Sequence, residues 1–242
     1  SLGALLAKDV GPADIVEVTE RAAAKSLHVA RLVLSALRGM FAHALARHVV
    51  KINPCDGVTA KAVVGPMPDR RLRLMLTEPE LRALLPALHK QGRHNELALK
   101  ILLATCTRIG ELTRAEWGHI NFQERVWVIP PENSKNKKRF VIPLPDVVLG
   151  WFAELEKIAF GSRYVLPVRV RRREGDFPME ATTLNVVCNR IHGDLGGACR
   201  RFTPHDLRST ARSHLAALGV DIIIAERCLN HSLGGLVAVY DQ

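Results

Sequence analysis

The stretch from residue 202 to residue 242 holds His205 and Arg208 three positions apart, then His231, then Tyr240, one of two tyrosines in the chain. This set can hold a phosphate and attack it. A phenol with a pKa near 10 is ionised in only about one molecule per thousand at pH 7. A tyrosine nucleophile therefore needs a base to take its proton and fixed positive charge around the transition state. Two histidines, the arginines Arg108 and Arg208, and Lys135 upstream complete that inventory. No carboxylate cluster asks for a metal. The five cysteines (Cys55, Cys106, Cys188, Cys199, Cys228) form no CxxC pair, so zinc is not expected and no cofactor is implied. They read as free, mostly buried thiols in a reducing cytoplasm.

Each candidate has a local setting. Thr203 is a good N-cap and Pro204 a good first helical residue, so His205 falls in the first turn of a helix and Arg208 one turn on, sharing a face. A helix start also offers free N–H groups and a positive dipole end to an anion; the alternative is an ordinary surface histidine. Arg108 is followed three residues later by Glu111, which can orient it, and Gly110 is expected to let backbones come close. The alternative there is a surface ion pair worth under ~1 kcal/mol. Lys135, Lys137, Lys138 and Arg139 lie in a turn between two β-like segments, where they either contact DNA phosphates or are solvated. A second basic run, Arg169 to Arg173, includes Arg171 and Arg172 and carries the same two readings.

The elements that must position these residues follow from periodicity. Helices are expected over 13–24, with Pro12 at the first position, and from Ser26 to about Val50, where apolar residues from Val29 to Leu45 recur at three- and four-residue steps until Asn53-Pro54 stops them. The run from 54 to 73 holds three prolines and two glycines and reads as a linker. Thr77 and Glu80 fit a capping box opening a helix through Leu88. A second apolar helix covers about 95–105. Residues 118–143 alternate and carry β-formers, as in a three-stranded meander whose second strand ends at Pro130-Pro131. Helices return at 145–159, 181–195, 204–218 and 221–229. The fold class expected is mainly α with one small antiparallel sheet (α+β). Its organisation is a helical module over residues 1–60, a linker over 61–75 and a larger domain over 76–242.

Composition sets the partner class. Lys and Arg number 34 against 24 Asp and Glu, a net charge of +10, which favours a polyanion such as nucleic acid. Hydrophobic residues make up 48% of the chain, enough to fill real cores and exclude global disorder. No apolar run approaching ~18 residues or signal peptide is evident, so a membrane partner is not expected.

These motifs, taken in order, resemble those of the tyrosine recombinases, the integrases of phages and integrative elements, with the phrasing most similar to integrases of satellite phages and genomic islands. The family's first arginine motif appears as Arg108-Ile109-Gly110-Glu111-Leu112 and its hairpin lysine as Lys135. Its His-x-x-Arg motif appears as His205-Asp206-Leu207-Arg208, its second histidine as His231, and its nucleophile as Tyr240. Asn230 stands where the family usually has glycine. The resemblance covers residues 12–242.

The resemblance implies that a core-binding module and a catalytic domain grip double-stranded DNA at attachment sites. Tyr240 would form a 3′-phosphotyrosine and so integrate or excise a mobile element without ATP. Arg108 and Arg208 would stabilise the phosphorane, Lys135 (or Lys137) would protonate the leaving oxygen, His205 would accept the tyrosine proton, and His231 would bond a phosphate oxygen, with Glu111 in support. It further implies a homo-tetramer on DNA, a monomer without it, a directionality factor as partner, and action at the bacterial nucleoid. Missing N-terminal helices and a missing C-terminal tail are expected from the chain's ends. Two other activities are weighed beside this one: an inactive relic that only binds DNA, and relaxation of supercoils as by type IB topoisomerases.

Overall fold

The computed structural model describes residues 2–66, 74–169 and 174–231. The chain divides into two compact units, Ser1–Arg71 and Leu72–Gln242.

The described residues of the first unit hold the α-helices α1 (Pro12–Ala23), α2 (Leu27–Ala46) and α3 (Ala60–Val64) after two 3-10 turns. Pro12 opens α1, and the Asp14 carboxylate accepts the Gly11 N–H at 2.9 Å. Ser26 caps α2 by accepting the His28 N–H at 3.2 Å. Ala30, Leu34 and Phe41 are buried along α2, and Leu34 and Phe41 pack with Ile15, Val50, Cys55 and Val58. Each fully buried large side chain of this kind stabilises the fold by about 1.5–3 kcal/mol.

Helix α2 ends four residues before the expected stop. His48 adopts a left-handed conformation, φ 58°, and the chain closes with His48 N–H to Leu45 O at 3.0 Å and Val49 N–H to Ala44 O at 2.9 Å. That pair of bonds is a Schellman motif, which satisfies the last carbonyls without help from the later proline. The segment from 54 onward also differs from a bare linker. Cys55 and Val58 are core residues, and Thr59 caps α3, whose Val63 packs on the same core. Among the described residues one helix, α2, is after all long and apolar enough to cross a membrane by length and composition; Leu34 and Phe41 join the unit's core, Val29, Leu32, Met40 and Leu45 stay exposed, and Arg38 donates to the Val58 carbonyl.

The second unit holds α4 (Glu78–Ala87), α5 (Arg93–Thr105), α6 (Ile109–Thr113), β1 (Ile120–Asn121), β2 (Val126–Ile129), β3 (Phe140–Pro143), α7 (Asp146–Ile158), α8 (Ala181–Leu195), α9 (Pro204–Ala217) and α10 (Ile222–Cys228). It is mainly helical with one small antiparallel sheet, ordered β1-β2-β3. Trp127 pairs with Ile120 on one side and Ile142 on the other. Its ring is fully buried and meets Phe152 of α7 edge-on at 5.7 Å, which fastens the sheet to the helices.

Helix α5 is the centre of the unit. Leu97, Ala98, Leu99, Ile101 and Leu102 are all buried, so it is wrapped on nearly every side. Around it, Leu76 N–H donates to Thr210 Oγ1 at 2.9 Å and His214 Nε2 lies 3.1 Å from Leu76 O, tying the start of the unit to α9. The expected capping box at α4 is present, with Glu80 Oε2 accepting the Thr77 N–H at 2.7 Å. Helix α6 has five residues, too few for an apolar period to announce it.

Candidate active site

Three chain segments meet at Arg208. It lies on α9, is 2% exposed, and donates from Nη1 to the Cys106 carbonyl and from Nη2 to the Leu229 carbonyl. Cys106 follows α5 and Leu229 follows α10, so one planar fork binds the ends of two helices. Both acceptors are late helix carbonyls with no intrahelical partner of their own, and a buried cation is well suited to them. Cys106 itself is left-handed, φ 55°, which turns the chain out of α5 toward Thr107 and Arg108. Thr107 is buried and shares a 2.8 Å hydrogen bond with Thr105.

Arg108 is the N-cap of α6. Glu111, 3% exposed, accepts the Arg108 backbone N–H at 2.7 Å on one oxygen and its Nη1 at 2.8 Å on the other. A single carboxylate thus fixes both backbone and guanidinium, and the pair is more enclosed than a surface ion pair: the side chains are 21% and 2% exposed. Gly110 does not serve a close backbone approach as expected. The nearest atoms a Cβ there would meet belong to the Arg114 guanidinium, at 3.0 Å, whose Nε bonds the Gly110 carbonyl.

His205 is exposed in the first turn of α9. Thr203 caps this helix, and Asp206 Oδ2 accepts from the Thr203 N–H at 2.9 Å and its Oγ1 at 2.8 Å. A fixed negative charge therefore already sits on the helix dipole. The helix start is already occupied by a carboxylate, which runs against the expectation that its N–H groups hold an anion.

His231 ends α10. Asn230 is left-handed, φ 47°, with its N–H on Arg227 O at 2.8 Å and the His231 N–H on Glu226 O at 3.1 Å. This is again a Schellman motif, and position 230 is the one that favours glycine or asparagine. The asparagine is thus the expected alternative to glycine at that backbone, not a defect. His231 Nδ1 lies 2.5 Å from Glu226 Oε2, while Glu226 Oε1 accepts from Arg212 Nε at 3.0 Å and Nη2 at 2.9 Å. Hydrogen bonding to His231 and then to Arg212 holds the Glu226 carboxyl below its usual pKa. With Nδ1 bonded to a carboxylate, Nε2 is the ring atom left for a substrate.

Lys135 lies in the turn between β2 and β3, beside the buried Ser134. The turn is docked on the residue before His231: Asn136 donates to the Asn230 carbonyl at 2.7 Å, and Asn230 donates to Ser134 Oγ at 3.3 Å. Lys135, Lys137, Lys138 and Arg139 are all exposed, and Lys137 is left-handed at φ 55°. Arg169 of the second basic run bonds Asn95 Oδ1 at 3.1 Å. Tyr240, Arg171 and Arg172 lie outside the described residues.

The structure thus brings the Arg108, Arg208 and His231 segments to one guanidinium, and the Lys135 turn to the residue beside His231. Sequence reasoning missed Glu226, Arg212, Ser134 and Asn136. Arg212 follows Arg208 by four residues on one helix, a spacing that could have flagged it.

Known proteins resemble the chain in sequence and in fold. The chain is 30% identical over 129 residues to the prophage integrase IntA of Escherichia coli (strain K12), a match covering 53% of this chain and 29% of that protein. It is 28% identical over 207 residues to the tyrosine recombinase XerD of Pseudomonas putida, covering 82% and 65%. It therefore spans less than two thirds of either relative. Its fold matches lambda integrase residues 75–356, solved as a dimer bound to a COC′ core site, with a TM-score of 0.72 at 20% identity over 94% of this chain and 81% of that one. It also matches the Tn1549 transposon integrase bound to circular intermediate DNA, with a TM-score of 0.69 at 18% identity over 96% and 84%. The profile of the phage integrase family matches residues 75–242, well over half of the sequence, and the chain belongs to the phage integrase family.

Proposed function

We propose that this chain is the DNA-cleaving part of a site-specific recombinase that integrates or excises a mobile element. The observation that carries the proposal is the buried Arg208 fork, which ties the segments bearing Arg108 and His231 around the helix that bears His205.

In this reading the Tyr240 oxygen attacks a backbone phosphorus and its proton passes to His205. The bond from phosphorus to the 5′ oxygen breaks, and that oxygen takes a proton from Lys135. The product is a 3′-phosphotyrosine and a free 5′-hydroxyl, and the reverse steps with a new 5′-hydroxyl rejoin the strand. Arg108 and Arg208 neutralise charge on the five-coordinate phosphorus, each contributing several kcal/mol, about the scale known for arginine in phosphoryl transfer. His231 donates from Nε2 to a phosphate oxygen. The net charge of +10 suits the duplex partner. The first unit and the second grip the duplex together, Lys137, Lys138, Arg139, Arg171 and Arg172 contact phosphates, and four copies assemble on paired sites, as lambda integrase does on a Holliday junction.

The test is a nicked suicide duplex built from the sequences flanking the protein's own gene. The protein should form a covalent adduct that survives detergent, and Tyr240→Phe should form none. An equal yield of adduct from Tyr240→Phe would remove Tyr240 as nucleophile; no adduct from the parent, with binding intact, would leave a DNA-binding protein.

A further inference from the structure

The turn that carries Lys135 has the composition of a loose tip, yet it is held at two points by one residue. Asn136 gives its side-chain amide to the Asn230 carbonyl, and Asn230 gives its own to Ser134 Oγ. Lys135 lies between these two tethered residues. Lys137 is next to just one of them and beyond a left-handed turn of its own. Consecutive Cα atoms are about 3.8 Å apart, so the Lys135 backbone is confined close to residue 230, whose neighbour His231 is fixed in turn by Glu226.

We propose that Asn230 and Asn136 are positioning residues that register Lys135 against His231, and so select Lys135 over Lys137 as the acid that protonates the leaving 5′ oxygen. This rests on the recombinase reading above. The asparagine at 230 serves twice: its left-handed backbone closes α10, and its side chain and carbonyl clamp the hairpin turn. A glycine would keep the first role and lose the side-chain half of the second.

The experiment separates proton donation from every other step. Two nicked suicide duplexes are compared, one with the ordinary 5′ oxygen at the scissile bond and one with sulfur in its place. A thiolate, from a thiol of pKa about 8.5, departs without a proton; an alkoxide, whose parent alcohol is nearly as weak an acid as water at about 15.7, does not. On the oxygen substrate, Asn136→Ala and Asn230→Gly should each slow adduct formation by about 10–100-fold, the scale of a misplaced general acid. On the sulfur substrate both should approach the parent rate, as should Lys135→Ala. Equal slowing on both substrates would make the two asparagines merely structural. Unchanged or faster cleavage of the oxygen substrate would show that the clamp has no positioning role or restrains the lysine unproductively, and either result overturns the proposal. Absence of any parent adduct on both substrates would instead sink the recombinase reading itself. Asn136 is exposed and Asn230→Gly suits its backbone, so both variants should fold, which thermal melts check.

Discussion

Glu226 and His231 are joined twice, by backbone and by side chain. The His231 N–H donates to the Glu226 carbonyl at 3.1 Å, and His231 Nδ1 lies 2.5 Å from Glu226 Oε2. The first contact is the closing bond of the helix; it fixes the spacing at which the second becomes possible. Ring orientation at the candidate site is thus built from a helix C-terminus.

Glu226→Gln keeps the shape of this contact and removes its charge. Adduct formation should fall by about tenfold, the cost of a loosely held ring near the reacting phosphate. Stability has a definite pH signature too. The folded carboxyl titrates below its unfolded value, so its contribution is complete above the unfolded pKa and is lost as pH falls through the folded one. Melts of parent and variant should differ at pH 7 and converge on acidification; a gap that widens toward acid would exclude this role.

Arg208→Lys should be costly. An ammonium has no planar fork to span two carbonyls on different helix ends, so one of the Cys106 and Leu229 oxygens loses its donor. Two charge-assisted hydrogen bonds at this burial make a loss of about 3 kcal/mol reasonable, read by denaturant unfolding. Adduct yield should drop at least 100-fold, because the same group is the proposed phosphate ligand. Retained stability with lost adduct would make Arg208 a purely chemical residue, against its buried bonds.

What the sequence made legible divides along sequence distance. Apolar patterning placed α5, α7 and α8 within a few residues, because burial of one stripe is written locally, and α9 was placed by its Thr203-Pro204 start. The Trp127 strand was legible from alternation for the same reason. The Arg108–Glu111 pair was legible from a three-residue spacing. What could not be read depends on distant partners: Arg208 reaches acceptors 102 and 21 residues away, and Asn136 reaches one 94 residues away. The early end of α2 was missed because a histidine takes the left-handed position that glycine usually marks. Asn230 was legible as a substitution for glycine, but its clamp on the hairpin depends on the same long-range docking.

Thiol reactivity should single out one cysteine. Cys55, Cys106, Cys188 and Cys199 are buried, while Cys228 is exposed. Burial pushes Cys106 up to about 11 and Cys188 up to about 12, so neither offers thiolate at pH 8. Brief iodoacetamide treatment of the native protein should add one label, at Cys228, and denaturation should expose the other four, as peptide mass spectrometry would show. Early labelling of Cys106 would mean that the end of α5 opens locally.

Glu80 is the most connected carboxylate away from the site. One oxygen accepts the Thr77 N–H at 2.7 Å, the Thr77 Oγ1 at 2.9 Å and Arg200 Nη2 at 2.7 Å, and the other accepts the Arg200 N–H at 3.0 Å and its Nε at 2.7 Å. It therefore caps α4 and pins the chain just before α9 in one stroke. Bonds to Arg200 first, then to Thr77, hold its carboxyl far below the usual range. Its contribution is present above the unfolded carboxylate pKa and is lost as pH falls through the much lower folded one. Glu80→Gln should destabilise the second unit by about 2 kcal/mol at pH 7, with the difference persisting well into the acid range because the folded group resists protonation. Urea unfolding at pH 7 and pH 3 reads both points. A difference already gone near pH 4.5 would mean that the carboxylate titrates normally and that the Arg200 bonds do not hold in solution.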